Sequence, residues 1–219
     1  METTRIGELL QPFLGAPAGE PAVLSSAQVN SISTYIDLLL RWNARVNLTS
    51  IRQPEAIVTR HFGESLFAAQ RLFPDPASPA SLIDIGSGAG FPGVPIKLWA
   101  PRLRLTLIES NHKKVAFLRQ LARSLTLTDI NIVPGRAETY PGPRADVVTL
   151  RAVERFSAIL QTAARLVAPG GRLALLIGQA QAADAVATLP SAAWSEPATL
   201  PLSSSRILLI AKFRQEEPK

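Results

Sequence analysis

No cysteine occurs in this 219-residue chain, which excludes disulfides, thiolate nucleophiles and cysteine-held metal sites. Histidine is nearly absent too. His61 and His112 are too few and too far apart for the usual zinc spacings, so no metal is expected. There is no run of about 20 apolar residues, and hence no expected membrane-spanning helix. Met1–Arg5 lacks the basic-then-apolar pattern of a secretion signal. These absences together suit a cytoplasmic protein. Internal repeats and low-complexity tracts are also missing. What is present is a 47% hydrophobic composition, enough for one sizeable core or for one domain with an extension.

Charge is unevenly placed. Residues 1–80 hold six Arg against seven acids, whereas residues 81–219 hold 17 Lys+Arg against ten acids. Eighteen of the 23 cations are Arg, whose planar fork suits phosphates and base stacking. A basic second half points to an anionic partner such as nucleic acid, although a compositional bias toward Arg, Ala and Pro accounts for the same numbers.

The centre of the chain is Leu82-Ile83-Asp84-Ile85-Gly86-Ser87-Gly88-Ala89-Gly90-Phe91-Pro92-Gly93. An apolar run holding one acid breaks into glycines, and an apolar pattern resumes at Val94, Ile96, Leu98 and Trp99. This reads as a buried strand, a tight loop and a helix start, with helix N–H groups facing a ligand. A dinucleotide fingerprint would space its glycines Gly-x-Gly-x-x-Gly. Here the spacing is Gly86-x-Gly88-x-Gly90, preceded by Asp84. Pyrophosphate disfavours a nearby carboxylate, whereas a ligand with a cationic centre and an ammonium group favours it. The stretch resembles the first motif of the Rossmann-like S-adenosylmethionine methyltransferases.

Elsewhere the periodicity predicts helices over residues 5–15, from Ser25-Ser26 to about Asn43, and from Pro54 onward. Pro17, Gly19 and Pro21 break the chain between the first two. Trp42 to Arg52 is richer in amides, hydroxyls and Arg than packing requires. Arg60 and His61, taken alone, read as a capping or solvated face. Phe73 to Ser81, with three prolines, reads as a stiff linker. Strands are predicted at Leu103–Ile108, Ile130–Val133, Asp146–Leu150, Arg172–Ile177 and Ile207–Phe213, with Thr199–Leu202 placed to pair with the last. Helices are predicted at about 111–124, 157–167 and 178–189, the second ending at the turn Pro169-Gly170-Gly171, and the tail Gln215–Lys219 is expected to be disordered. Glu109, 23 residues past Gly86, stands where an acid takes ribose hydroxyls. The Gly135–Glu138 loop stands beside the adenine position, and Arg151 leaves strand four at the ligand-binding edge.

Several motifs stand in one family's order: Asn47-Leu48-Thr49-Ser50-Ile51-Arg52, Arg60-His61, Asp84 to Gly93, Lys113-Lys114-Val115-x-Phe117-Leu118-Arg119, Arg136-Ala137-Glu138 and Arg151-Ala152. Over about residues 25–178 the chain closely resembles the RsmG (glucose-inhibited division protein B) family. The resemblance implies an α/β, Rossmann-like class I S-adenosylmethionine methyltransferase. Its expected build is a mostly parallel seven-stranded sheet, helices on both faces, a helical extension over residues 1–72 and the transferase domain over 73–219. It implies methylation of N7 of a guanine in the 530 loop of 16S ribosomal RNA, with the RNA or the small ribosomal subunit as partner and a monomeric enzyme. Position by position it makes Gly86, Phe91, Ala137, Glu138 and Arg151 cofactor contacts. Glu109 matches the ribose-side acid. Asp84, Gly88 and Gly90 join the cofactor set from the loop itself. One departure is Ile177, where relatives often carry Lys before the Gly that ends strand five.

Guanine N7 has an in-plane lone pair and no proton at neutral pH, so methyl transfer to it needs positioning and no general base. Arg151 is the candidate for anchoring the base or a phosphate. Phe91 and Trp42 are candidates for stacking on it. Two other classes remain open at this point. A methyltransferase for another substrate would share the loop without needing the basic half. A non-catalytic, ribosome-associated nucleotide-binding module would share the fold without the chemistry.

Overall fold

The structure is a computed structural model describing residues 1–15, 22–151 and 156–215. The break at Pro17–Pro21, the start of the segment after Arg151 and residues 216–219 of the tail lie outside the described residues.

Four helices precede the sheet. α1 (Thr3–Leu10) runs into a 3₁₀ turn at Gln11–Phe13 and buries Ile6, Leu10 and Phe13. α2 (Ser26–Asn43) starts where the sequence predicts. Ser25 Oγ accepts from Gln28 N at 3.3 Å and Gln28 Oε1 accepts from Ser25 N at 2.8 Å, a reciprocal cap for two otherwise unpaired donors. α3 (Pro54–Ile57) has Pro in its first turn. The helix then widens into a π turn over Val58–Gly63 before α4 (Glu64–Leu72). The sequence predicts a regular helix here. The apolar positions here, Ile57, Val58, Phe62, Leu66 and Phe67, recur at intervals of four to five, and the extra residue in the π turn keeps them on the core side.

The remaining elements are β1 (Ser81–Ile85), α5 (Gly93–Trp99), β2 (Arg104–Glu109), α6 (His112–Ser124), β3 (Ile130–Pro134), β4 (Ala145–Arg151), α7 (Phe156–Leu166), β5 (Val167–Gly178), α8 (Ala182–Thr188), β6 (Ala193–Trp194), β7 (Ala198–Thr199) and β8 (Arg206–Lys212). The sheet order is β3-β2-β1-β4-β5-β8-β6, with β7 also on β8. β1 to β5 are parallel, and β8 is antiparallel to β5. The sheet has seven positions. The last is shared by the two-residue strands β6 and β7, where the sequence predicts only the second. Pro169-Gly170-Gly171 does not end a helix as a free turn. It forms a bulge inside β5, between the pairs Ala145–Val167 and Val147–Arg172.

Both sheet faces are covered, so the strands read as nearly continuous apolar runs. Leu82, Leu105, Leu107, Val147, Ala174 and Leu176 face the cluster built with α1 to α6. Ile83, Ile85, Ile108, Val148, Leu173 and Leu175 face the cluster built with α7 and α8. No helix among the described residues is long and apolar enough to cross a membrane. Strand order reverses between β1 and β4, which opens a crevice beyond their C-terminal ends.

Candidate active site

The glycine loop follows β1 directly. Gly86 N and Ser87 N both donate to Ile108 O, at 2.9 and 3.2 Å, which clips the loop onto β2. Gly86, Gly88 and Gly90 all have positive φ. At Gly88 (φ 55°) a Cβ would meet only the Gly86 carbonyl, at 3.7 Å, so the backbone there faces open space that a side chain would fill. Gly90 is needed for a different reason: a Cβ there would lie 2.5 Å from the Tyr35 hydroxyl and 3.1 Å from Val94. Tyr35, buried on α2, donates its hydroxyl to Ala89 O, so the first long helix holds the loop from beneath.

Asp84 is fully buried under the loop. Its carboxylate accepts from Thr149 Oγ1 at 2.7 Å and from Gly93 N at 3.3 Å, which joins β1, β4 and the start of α5. Burial raises its pKa to about 6, against the opposing pull of those hydrogen bonds. Glu109, also buried, stands at the tip of β2. One carboxylate oxygen accepts from Gly88 N at 2.8 Å and the other from Asn111 N at 2.8 Å. Asn111 in turn caps α6 through Lys113 N and Lys114 N. Gly135 N donates to Glu109 O, which ties the loop after β3 to the same tip. Ala137 is buried and Glu138 exposed in the 3₁₀ turn that follows. Gly86, Gly88, Glu109 and the Ala137–Glu138 turn thus share the C-terminal edge of the sheet.

Arg151 ends β4 at that edge, but its side chain turns inward. Nη2 donates to Arg60 O at 2.7 Å, meets His61 Nδ1 at 2.9 Å and lies 3.3 Å from Glu64 Oε2. Nη1 is buried without a hydrogen-bond partner among the described residues. Burial lowers the guanidinium pKa to about 10, which leaves it charged at neutral pH. Glu64, 1% exposed, also takes Arg206 in a forked pair at 2.9 and 2.7 Å, and Arg60 at 3.2 Å. Three guanidiniums therefore converge on one carboxylate, a hub that single-sequence reading did not find. Its only sequence trace is the i, i+4 spacing of Arg60 and Glu64.

His61 is not on a solvated face. Its ring stacks on Phe91 with centroids 4.6 Å apart, and Nε2 meets Thr49 Oγ1 at 2.8 Å. Burial, then the nearby Arg151, lowers its pKa to about 3, so the ring is neutral at physiological pH. The π turn is what places it: Arg60 stays half exposed while His61 points to the core. Phe91 stacks on Tyr35 as well, at 5.0 Å. Because Phe91 is buried between such contacts, Trp42 is the candidate stacking ring that keeps partial exposure. Ile177 is a core residue paired with Ile207, and the nearest cation across the strands is Arg206, opposite Gly178.

A family model described as GidB, rRNA small subunit methyltransferase G, matches residues 28–203. Two relatives named ribosomal RNA small subunit methyltransferase G come from Bacillus thuringiensis (strain Al Hakam) and Bacillus cereus (strain B4264). Each is 38% identical over 162 residues, covering 72% of this chain and 67% of the relative. Among solved structures, a SAM-dependent methyltransferase from Aquifex aeolicus superposes with a TM-score of 0.58 at 12% identity, covering 76% of this chain and 97% of its own. M. jannaschii TYW2 in complex with AdoMet gives 0.55 at 12% identity, covering 70% of this chain and 77% of its own. These two likenesses carry the fold.

Proposed function

The chain belongs to the rRNA small subunit methyltransferase G (GidB) family, and from that premise we propose that it transfers a methyl group from S-adenosylmethionine to N7 of a guanine in the 530 loop of 16S ribosomal RNA. The observation that carries the reading is the pairing of a charged, partly unpartnered Arg151 with a neutral His61 at the crevice. A histidine held this far below its ordinary pKa is a poor proton acceptor, and attack by a lone pair that carries no proton asks for none.

The residues present fit the cofactor. Gly88 leaves the space that a ligand lying against the backbone needs, and Glu109 offers a carboxylate at the ribose position. Gly86, Gly88 and Gly90 would form the cradle, with Phe91 fixing its far end from the core. Ala137 and Glu138 would take the adenine, and Asp84 would act from below through Gly93 and its field. When bound, the cofactor supplies an electrophilic methyl on a cationic sulfur. Arg151 is the positioning group for the base. Nη2 is engaged by Arg60 and His61, whereas Nη1 is buried with no partner among the described residues; a shift of the side chain on binding would bring it to guanine O6, an acceptor next to N7. A single bond to O6 orients the ring and leaves the N7 lone pair free. Residues 1–72 serve as a helical extension that frames the pocket, and residues 73–219 as the transferase. The protein works as a cytoplasmic monomer without a metal ion.

The test is methyl transfer to 16S RNA and to isolated small subunits, with the product mapped by mass spectrometry of nuclease fragments. One 7-methylguanosine in the 530-loop fragment is the expected result. A methyl group on another atom or another fragment, or none on either substrate, would overturn the reading.

A further inference from the structure

The Trp42–Arg52 stretch is only partly used by the site above. Asn43 Oδ1 accepts from Leu48 N and Thr49 N, at 2.9 and 3.0 Å, and Asn43 Nδ2 donates to Thr49 O at 2.9 Å. This fixes the loop whose Thr49 hydroxyl meets His61. Immediately before Asn43, Trp42 is half-buried on the outer surface, its edge against Phe117 and its Nε1 donating to Gln120 Oε1 at 3.0 Å. Two grooves share Trp42 and Gln120 as a common wall. One, of about 480 Å³, runs along the end of α2 past Arg41 and Arg45. The other, of about 420 Å³, runs along α6 past Arg119 and Arg123.

All four arginines are exposed, and none makes an ion pair with the described residues. Neither groove is lined by an acid. The nearest acid along α2, Asp37, lies 3.8 Å from the Met1 amino group. A solvated helix face ordinarily intersperses both signs of charge. Here one sign is gathered from two separate elements around a partly exposed indole. That is the combination by which proteins hold single-stranded nucleic acid: cations along the backbone and an aromatic ring for a base.

We propose that Arg41, Trp42, Arg45, Arg119, Gln120 and Arg123 form a docking surface for a single-stranded segment of the RNA substrate, outside the target nucleotide. The inference rests on the proposed RNA substrate. Through Asn43, Thr49 and His61 the surface is mechanically continuous with Arg151, so a strand held at Trp42 is registered against the crevice.

The experiment compares Arg45→Gln/Arg119→Gln/Arg123→Gln with a control, Arg102→Gln/Arg104→Gln, whose arginines line a separate hollow with Asp129 and Asp146. Methyl transfer to 16S RNA and to small subunits is measured at several salt concentrations, and S-adenosylmethionine affinity by calorimetry. The triple variant should raise KM for RNA about tenfold or more, keep kcat at saturating RNA, keep cofactor affinity and reduce the salt slope by roughly two. The control should match the wild type. Trp42→Leu, which keeps an apolar side chain against Phe117, should weaken RNA binding about fivefold or more if a base stacks there. An unchanged RNA KM in the triple variant overturns the proposal. So does a defect on small subunits with none on naked RNA, which would assign the surface to a ribosomal protein. A wild-type protein that methylates neither substrate defeats the substrate reading itself, a result the variants cannot mimic.

Discussion

Arg151 shows how far a side chain's chemistry depends on what encloses it. The guanidinium is held through Nη2 by Arg60, His61 and Glu64, while Nη1 is buried with no partner among the described residues. Arg151→Ala is expected to lower kcat about tenfold or more, roughly 1.4 kcal/mol of lost positioning, and the defect should persist at saturating S-adenosylmethionine. Recovery at saturation would instead assign Arg151 to the cofactor, and wild-type turnover would remove it from both roles. Gly88 gives a second test. Valine there would need a left-handed backbone at a cost of about 1–2 kcal/mol and would fill the open space above the loop. Gly88→Val is expected to abolish S-adenosylmethionine binding by calorimetry while circular dichroism stays native. His61 gives a third, through pH. Its pKa falls from 6.5 to about 3 on folding, so below pH 6.5 the unfolded chain binds the extra proton and stability is lost as pH falls toward 3. Asp84, raised from 3.8 to about 6, works in the opposite sense, losing stability as pH rises through that window. Comparing the wild type with His61→Gln isolates the first effect. Between pH 6.5 and 4.5 the variant should lose less stability in urea titrations, by about 1–3 kcal/mol. Equal losses would mean that His61 is freely solvated.

Among the elements, the π turn at Val58–Gly63 decides the character of the pocket. A regular helix turns about 100° per residue, so one inserted residue re-aims everything after it relative to everything before. Here it lets Ile57 and Val58 stay in the core while His61 reaches Phe91 and Glu64 reaches Arg206. Deleting Thr59, whose hydroxyl bonds only within its own helix, should return the segment to α geometry and pull either the apolar side chains or His61 and Glu64 out of register. The expected result is unchanged helix content by circular dichroism with methyl transfer lost. Retained turnover would show that the π turn is incidental to the site.

For the whole molecule, the excess of cations after residue 80 predicts how the two substrates respond to salt. RNA affinity should fall about tenfold or more between roughly 50 and 200 mM salt as condensed counterions are released. S-adenosylmethionine affinity should change little. A flat RNA response would mark the cations as compositional. Two sheet faces with separate apolar clusters carry this charged shell, and the helices before β1 pack into the same cluster as one of those faces. The surface bearing Trp42 and the crevice bearing Arg151 are therefore parts of one packed unit.

What the sequence determined by itself is what acts over a few residues. Ser25 with Gln28 starts α2, Asn111 caps α6, alternate glycines shape the loop after β1, and β-branched apolar runs make the central strands. The order of those pieces, with Glu109 after the second strand, was enough to read the sheet and the edge at which Glu109 stands. Tertiary structure decided the rest, because it joins residues that no local signal links. Arg151 meets His61 across 90 residues, Arg206 meets Glu64 across 142, and Trp42 meets Gln120 across 78. A histidine read as solvated became a neutral, stacked ring because a π turn aimed it inward. An acid read as facing a ligand became a buried joint between strands because its register put it opposite Thr149. Hydrogen bonds and charge pairs depend on distances of a few ångströms, and those distances are set only when the helices close over the sheet.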